Sequence, residues 1–293
     1  MKSFKLKTFV SILAFASLSS ISFATQVVDT EIVIVGGGLS GVAAAAKAVE
    51  LGKKPVLLEK TAILGGAGNF PEGSLGLGTK YQKEHGITWD IQKNIDRFLD
   101  FNHYRTNPAV IRQLIGKSGE TIDWVVDKGV EIRGIRTLWP QGESYNCWHL
   151  FKGGASTVIS KLSDQIKAQG GQILMQTPAQ KLITKDGKVV GIEAVNSKTG
   201  EKYIINAKKV ILATGGFAAN KGMIEKYVTD SSDLSVSEPI RLRSAAGDGR
   251  TGDGINMAVK VGAAIAGMEN VVGNAPYLPH EPLINQFNGD TYL

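Results

Sequence analysis

Three glycines at fixed spacing, Gly36, Gly38 and Gly41, are the residues whose arrangement first points to chemistry. They follow a β-branched run, Glu31 to Val35, and precede Val42 to Leu51, an alanine-rich segment of strong helix formers. In that context each glycine has a role. Gly36 permits a tight turn, Gly38 lets backbone approach a pyrophosphate, and Gly41 lets the helix pack close to the strand. The first N–H groups of the helix and its dipole then meet phosphate charge. Glu59 ends the next apolar run, Pro55 to Glu59, eighteen residues after Gly41. Its carboxylate can accept hydrogen bonds from ribose hydroxyls. Strand, helix and acid together point to dinucleotide binding.

Three later features favour FAD over NAD. Leu64-Gly65-Gly66-Ala67-Gly68 follows the acidic strand, where a second backbone loop can continue along the pyrophosphate. Ala213-Thr214-Gly215-Gly216 ends a strand with small residues, so a ligand can lie against its backbone. Gly252-Asp253-Gly254 turns into a helix, Ile255 to Val261, and its acid can bond a ribityl or pyrophosphate-side hydroxyl.

With these stations in this order, the chain resembles the flavoprotein subunits of fumarate reductase and succinate dehydrogenase, in particular the soluble exported fumarate-reductase-like flavoproteins. The resemblance rests on Ile34 to Gly41, Leu57-Leu58-Glu59-Lys60, Leu64-Gly65-Gly66, Val210 to Phe217 and Thr251 to Ile255. It implies cofactor contacts at Ser40, Glu59, Lys60, the backbone from Gly66 and Gly68 to Gly73, Ala179 on the adenine-side strand, and Asp253. The family usually has Asn or Ser after its second Gly-Gly, where this chain has Ala67. Asn146 to Ala155 is similar to a segment where the family carries His-Arg-Pro; here Leu150-Phe151 follows His149. His149 either faces the flavin or substrate cavity or is a surface or capping histidine.

The resemblance also implies a reaction: hydride transfer from flavin N5 to the double bond of a small unsaturated carboxylate, with an arginine giving the proton. An external donor, such as a cytochrome or flavin protein, would supply electrons. The family's proton-donating arginine lies beyond the Gly-Asp-Gly turn, and this chain runs about forty residues past Asp253. No catalytic acid is therefore assigned, and Arg241, Arg243 and Arg250 read as surface or FAD-adjacent charges. Asn274 is the nearest counterpart of a substrate histidine expected about twenty residues after that turn. Two alternatives are a flavin-binding or electron-transfer piece without turnover of its own, and an FAD dehydrogenase of the ketosteroid dehydrogenase type.

The elements that must position these residues read as an α/β, Rossmann-like FAD-binding domain. A βαβ unit with a parallel sheet comes first, then Gly-rich, irregular Thr61 to Thr79. A helical insert follows, with helical spacing over Asp90 to Phe101, Ala109 to Lys117 and Glu120 to Lys128. Thr157 to Ala168 is a further amphipathic helix. Two β runs, Gln172 to Thr184 and Val189 to Asn196, meet at an Asp186-Gly187 hairpin signal. Tyr203 to Asn206 pairs back, completing an antiparallel three-strand insert, and Lys209 to Ala213 returns to the parallel sheet. The domain reading is 25–273 for FAD binding and 274–293 for the start of a cap or substrate region that is missing or truncated.

Residues 1–24 read as a secretory leader: Lys2, Lys5 and Lys7, an apolar run from Phe9 to Ile21, then Ser22-Phe23-Ala24. Export to the periplasm or beyond is the expected location, with no stable membrane span after leader removal, the apolar run being shorter than the ~20 residues a span needs. Removing the leader lowers the net charge from +6 to +3. No basic stripe with interleaved aromatics suggests nucleic acid. A single cysteine, Cys147, excludes an internal disulfide, iron–sulfur ligation and a covalent c-type haem within this chain. His85, His103 and His280 have no metal-ligand spacing, so no metal is expected.

Overall fold

The computed structural model describes residues 25–137, 146–228 and 249–269. The leader, Arg241, Arg243, Asn274, His280 and the 274–293 region lie outside the described residues. No helix among the described residues is long and apolar enough to cross a membrane.

The βαβ unit consists of β1 (Thr25–Val35), α1 (Leu39–Glu50) and β2 (Val56–Leu58). Successive side chains of a strand point to opposite faces, and here the two faces meet different partners. Ile34 and Leu57 join α1 and α6 (Ala155–Ala168) in one core cluster. In it, Val42, Ala45 and Ala46 of α1 meet Val158, Ile159, Leu162 and Ile166 of α6. Val33, Val35, Val56 and Leu58 face the other way, into a second cluster with Leu182, Ile192, Ala194 and Ile205.

That second cluster explains the sheet. Its order is β6-β2-β1-β9-β8-β7, with β6 (Gln172–Leu174), β7 (Ala179–Lys185), β8 (Lys188–Val195) and β9 (Lys202–Leu212). β9 runs parallel to β1 along nearly its whole length. β2 pairs with the last residues of β1, whereas β8 pairs with the first residues of β9. The antiparallel β7-β8-β9 piece therefore folds back over one face of the parallel strands, while α1 and α6 cover the other.

Two expectations about this region need correction. Gln172 to Thr184 is two strands, at opposite edges of the sheet. Gln176 takes φ +54°, and Pro178 has no N–H to give a ladder. The crossing needs only four residues because the sheet halves are stacked: Thr177 N donates to Glu59 O (2.8 Å) and Val195 N to Pro178 O (3.4 Å). Conversely, Tyr203 to Asn206 and Lys209 to Leu212 belong to one continuous strand, β9, and Ala213 lies just past its end. The expected hairpin is present, with Asp186 and Gly187 at φ +51° and +71°.

Thr61 to Thr79 is more ordered than expected. It contains a 3-10 turn, Gly66–Asn69, and β3 (Gly73–Leu75). β3 joins β5 (Asn146–Phe151) and β4 (Ile132–Thr137) in a separate antiparallel sheet, order β3-β5-β4. Around it lie α2 (Lys80–Glu84), α3 (Ile91–Phe101), α4 (Pro108–Gly116) and α5 (Ser118–Asp127). Their starts follow capping rules: Thr79 and Gln82 form a capping box, Asp90 caps α3, and Asn107 caps α4 with Pro108 next. Leu77, Ile95, Leu99, Ile111, Ile115 and Cys147 make this insert's own core. The remaining helices among the described residues are α7 (Lys221–Val228) and α8 (Asp253–Lys260).

Glu50, at the end of α1, ties the insert to the βαβ unit. Its carboxylate accepts from Lys128 (2.7 Å), Lys47 (2.8 Å) and Trp124 Nε1 (3.1 Å). The Lys128 ammonium, then that of Lys47, brings its pKa down to about 2, against the opposing effect of burial. A depressed carboxylate pKa stabilises the fold above the unfolded-state value, about 4.3, and loses that contribution as pH falls through the folded value. The urea midpoint of Glu50→Gln should therefore lie below that of the wild type by a constant amount from pH 7 to about 5. The gap should close as pH falls through about 4 toward 2.

Candidate functional site

The close approach at the start of α1 shapes the site. Gly36 has φ +103°, and a Cβ there would sit 2.4 Å from Ala213 O; a Cβ on Gly41 would sit 1.8 Å from Gly36 O. These two glycines are packing requirements. At Gly38, the N-cap of α1, a Cβ would meet only Gly65 O, at 3.7 Å, because the space in front of it is a cavity. No side chain caps α1 and no acid sits in its first turn, so its leading N–H groups point at that space without an internal anion.

The cavity measures about 1020 Å³. Of the residues expected to hold a cofactor, Gly36, Gly38, Ser40, Glu59, Lys60, Gly65, Gly66, Gly68, Ala179, Ala213, Thr214, Gly215 and Asp253 line it. They come from separate parts of the chain. The end of β1 gives the first turn, and the end of β2 gives Glu59 and Lys60. The 3-10 turn gives a second loop, bridged to the first by Gly65 N to Gly37 O (2.8 Å). The crossing between β6 and β7 gives Thr177 to Ala179, and the end of β9 gives Ala213 to Gly215.

Glu59 is nearly buried, and its carboxylate is held by neutral donors. Oε2 accepts from Gly37 N (2.8 Å); Oε1 accepts from Thr61 N (2.7 Å) and is within reach of the Thr61 hydroxyl (2.8 Å). A carboxylate oxygen has two lone pairs, so Oε2 keeps one for a ligand hydroxyl.

Lys60 and Asp253 are engaged with each other. Lys60 Nζ donates to Asp253 Oδ2 (2.7 Å) and Thr251 Oγ1 (2.8 Å), and Thr251 Oγ1 donates to Asp253 Oδ1 (2.6 Å). Burial, the largest single influence on the Asp253 carboxyl, pushes its pKa up. The hydrogen bonds from Lys60 and Thr251 and the Lys60 charge together outweigh it, and the net shift is downward.

Four of the singled-out residues do not line the cavity. Gly41 packs α1 on β1. Gly73 lets β3 approach β5, since a Cβ there would sit 1.9 Å from His149 O. Gly216 accepts from Gly252 N (3.1 Å) and so holds the turn before α8. His149 is fully buried in the three-stranded sheet. Its Nδ1 lies 3.1 Å from Cys147 O, an acceptor only, so Nδ1 carries the proton. In the neutral ring Nε2 then accepts from the Thr79 hydroxyl (2.8 Å). Burial holds its pKa below the usual range, partly offset by the Cys147 carbonyl and Asp123. Of the two roles open to His149 in the sequence, this environment matches support of the Thr79 capping box.

Sequence reasoning missed Leu39, Thr61, Asn69, Phe70 and Thr177 on the cavity wall; Arg250, read as a surface or FAD-adjacent charge, lies there too. Asn69 carried a signal: with Ala67 after the second Gly-Gly, the nearest amide is two residues on, and its Nδ2 donates to Leu64 O (2.8 Å), bracing the loop.

The sequence profile of the FAD binding domain family matches residues 31–286. Among curated relatives, the chain is 32% identical over 256 residues to a vinyl phenol reductase of Lactiplantibacillus plantarum, covering 86% of this chain and 50% of that protein. It is 30% identical over 257 residues to a urocanate reductase of Eggerthella lenta, covering 83% and 40%. Among solved structures it is similar to the open conformation of a flavocytochrome c3 fumarate reductase, with a TM-score of 0.70 and 26% identity over 82% of this chain and 41% of that one. The chain thus spans half or less of the length of these proteins.

The cavity fits FAD. An uncapped helix start meets a turn where only glycine leaves room, and an acid beside it keeps a free lone pair. Gly38→Val should fill the pyrophosphate position and yield protein without bound flavin, read as loss of visible absorbance. Glu59→Ala should weaken FAD binding roughly ten- to hundredfold, the scale of a hydrogen bond to a charged group, measured by fluorescence titration.

Proposed function

The chain belongs to the FAD binding domain family, and from that premise we propose that it is the cofactor-holding part of an oxidoreductase that reduces a conjugated carbon–carbon double bond, foremost that of an unsaturated carboxylate. The observation that carries this reading is the convergence of the first glycine turn, Glu59, the second glycine loop and the bare end of β9 on one cavity.

Bound there, FAD supplies a hydride donor. The chain's own residues bind and orient. The turn from Gly36 to Gly41 and the leading N–H groups of α1 hold the pyrophosphate, and Glu59 accepts from a ribose. The loop from Gly65 to Asn69 carries the backbone support onward, and Thr214-Gly215 presents a strand end with little side chain for a flat ring system to lie against. Thr177 to Ala179 closes the side next to Glu59. No described residue is assigned the proton donation to substrate carbon.

The relatives' names support this substrate class. Vinyl phenol, urocanate and fumarate share a double bond conjugated to an aromatic ring or a carboxylate. Electrons come from an external donor, a cytochrome or another flavin protein. The pattern of residues 1–24 supports export.

The test uses the longest natural form of the protein with a reduced viologen dye. Fumarate, urocanate, methacrylate and a vinyl phenol are offered in turn. Dye oxidation by at least one is expected; none with any of them would sink the reductase reading. Steroid-dependent reduction of an artificial acceptor instead would favour a dehydrogenase. Turnover by the 293-residue chain alone would reject a purely flavin-carrying role.

A further inference from the structure

The segment from Gly249 to Met268 supplies one wall of the cavity, through residues such as Arg250, Ile255, Ala258, Ile265 and Met268. On one side it is fastened to the turn after β9. Gly252 N donates to Gly216 O (3.1 Å), Ala219 N to Arg250 O (2.9 Å), and Asn220 Nδ2 to Thr251 O (2.9 Å). Met257 of α8 anchors it in the core beneath β7 and β8. Across the cavity rim it meets the end of β2 through Lys60, which grips Thr251 and Asp253 from 191 and 193 residues away in sequence.

The turn carrying this grip is closely specified. Gly252 has φ +75°, and a Cβ there would lie 2.4 Å from Met223 Sδ and 3.1 Å from Phe217 Cβ, so a side chain there is strained and glycine is favoured. Asp253 is the first residue of α8, where a carboxylate is favoured by the helix dipole. Lys60 is the only residue between Glu59, which faces the cavity, and Thr61, which holds Glu59 in place. Its ammonium is spent on the far wall.

We infer that the Lys60–Thr251–Asp253 cluster is a latch that holds the 249–269 wall closed over the bound cofactor, so that its opening sets how fast the cofactor leaves. This inference rests on the FAD reading above and adds a regulated step to it. The Lys60 and Asp253 side chains are 29% and 42% exposed. An ion pair this exposed contributes little to global stability, but it is open to salt and lies at the edge where the wall must part.

The experiment compares four forms of the full chain loaded with FAD: wild type, Lys60→Met, Asp253→Asn and the double variant. Flavin release is followed by its fluorescence on dilution. Each single variant is expected to release flavin roughly two- to fivefold faster, the range an exposed pair supports. The double variant should be no faster than the singles, because both remove one interaction. Salt at 1 M, where the Debye length is about 3 Å, should speed the wild type and narrow the gap. Effects that add in the double variant, or equal release from all four, overturn the latch. A second measurement needs no cofactor: hydrogen exchange over residues 249–260 should be faster in either single variant, with α1 and α6 unchanged, and unchanged exchange at 249–260 also overturns it. A wild type that takes up no FAD overturns the cofactor reading and the latch together. A wild type that takes up FAD and loses it at the variants' rate overturns the latch alone.

Discussion

Everything at the site depends on how closely three pieces of backbone approach at the start of α1. A Cβ on Gly41 would sit 1.8 Å from Gly36 O, and one on Gly36 would sit 2.4 Å from Ala213 O. No side-chain carbon fits in either place. With both removed, β1, α1 and β9 meet at their ends, and the uncapped N–H groups of α1 emerge beside Ala213 and Thr214. Adding a methyl group at either glycine would push the helix from the sheet and re-aim its dipole, even though Gly41 itself does not line the cavity. The ligand-facing glycine, Gly38, is a different case: there the missing side chain leaves space for a ligand, where the other two leave space for the protein.

The second constraint is the alternation of side chains in β1 and β2. Ile34 and Leu57 commit one face to α1 and α6, and Val33, Val35, Val56 and Leu58 commit the other to the folded-back strands. A polar residue on either face would leave a helix or a strand pair without its partner. The stacking has a functional consequence. It brings Thr177 to Ala179 directly onto the Glu59 end of β2, with Thr177 N bonded to Glu59 O. A flat, unfolded sheet with the same pairing order would hold β6 and β7 five strand positions apart, and that wall of the cavity would not exist.

This division also explains what was legible in the sequence. The βαβ unit, the hairpin at Asp186-Gly187 and helices α3 to α6 and α8 were readable because local spacing, caps and turn residues specify them; α7 was not read. The β3-β5-β4 sheet was not. Its strands are short, and the pairing of Gly73 with Leu150 depends on contacts far apart in sequence. The split of Gln172 to Thr184 was signalled weakly, by Pro178, and decided by tertiary stacking. At the site, the three motif glycines were legible with their roles, Gly36 for the tight turn, Gly41 for close packing and Gly38 for ligand space, because the motif's spacing encodes them; that Gly73 and Gly216 serve strand pairing and a turn was not, because it depends on distant partners. Glu59 was found by spacing. Thr61 and Asn69 were missed because their work is to orient backbone and carboxylate, and such roles leave no periodic signature.

Gly37 shows how far this goes. The spacing rule treats the middle glycine as a free position, yet here it joins the two halves of the site. Its N–H donates to Glu59 Oε2, and its carbonyl accepts from Gly65 N. A Cβ there would come within 2.5 Å of Leu64 Cδ2 and 2.9 Å of Glu59 Cβ, so a side chain would press on both and require them to shift. One residue, through the two peptide units that flank it, thus fixes the orientation of the ribose-facing carboxylate and the register of the second loop together. The arrangement has an electrostatic logic. An anionic acid beside a pyrophosphate is repelled unless its charge is met, and Glu59 is met by the N–H groups of Gly37 and Thr61. Lys60, the nearest cation in sequence, is given to Asp253. The acid is therefore held by fixed backbone donors in a rigid turn, which keep their geometry at any salt concentration, and the cation is left to hold the wall that has to part.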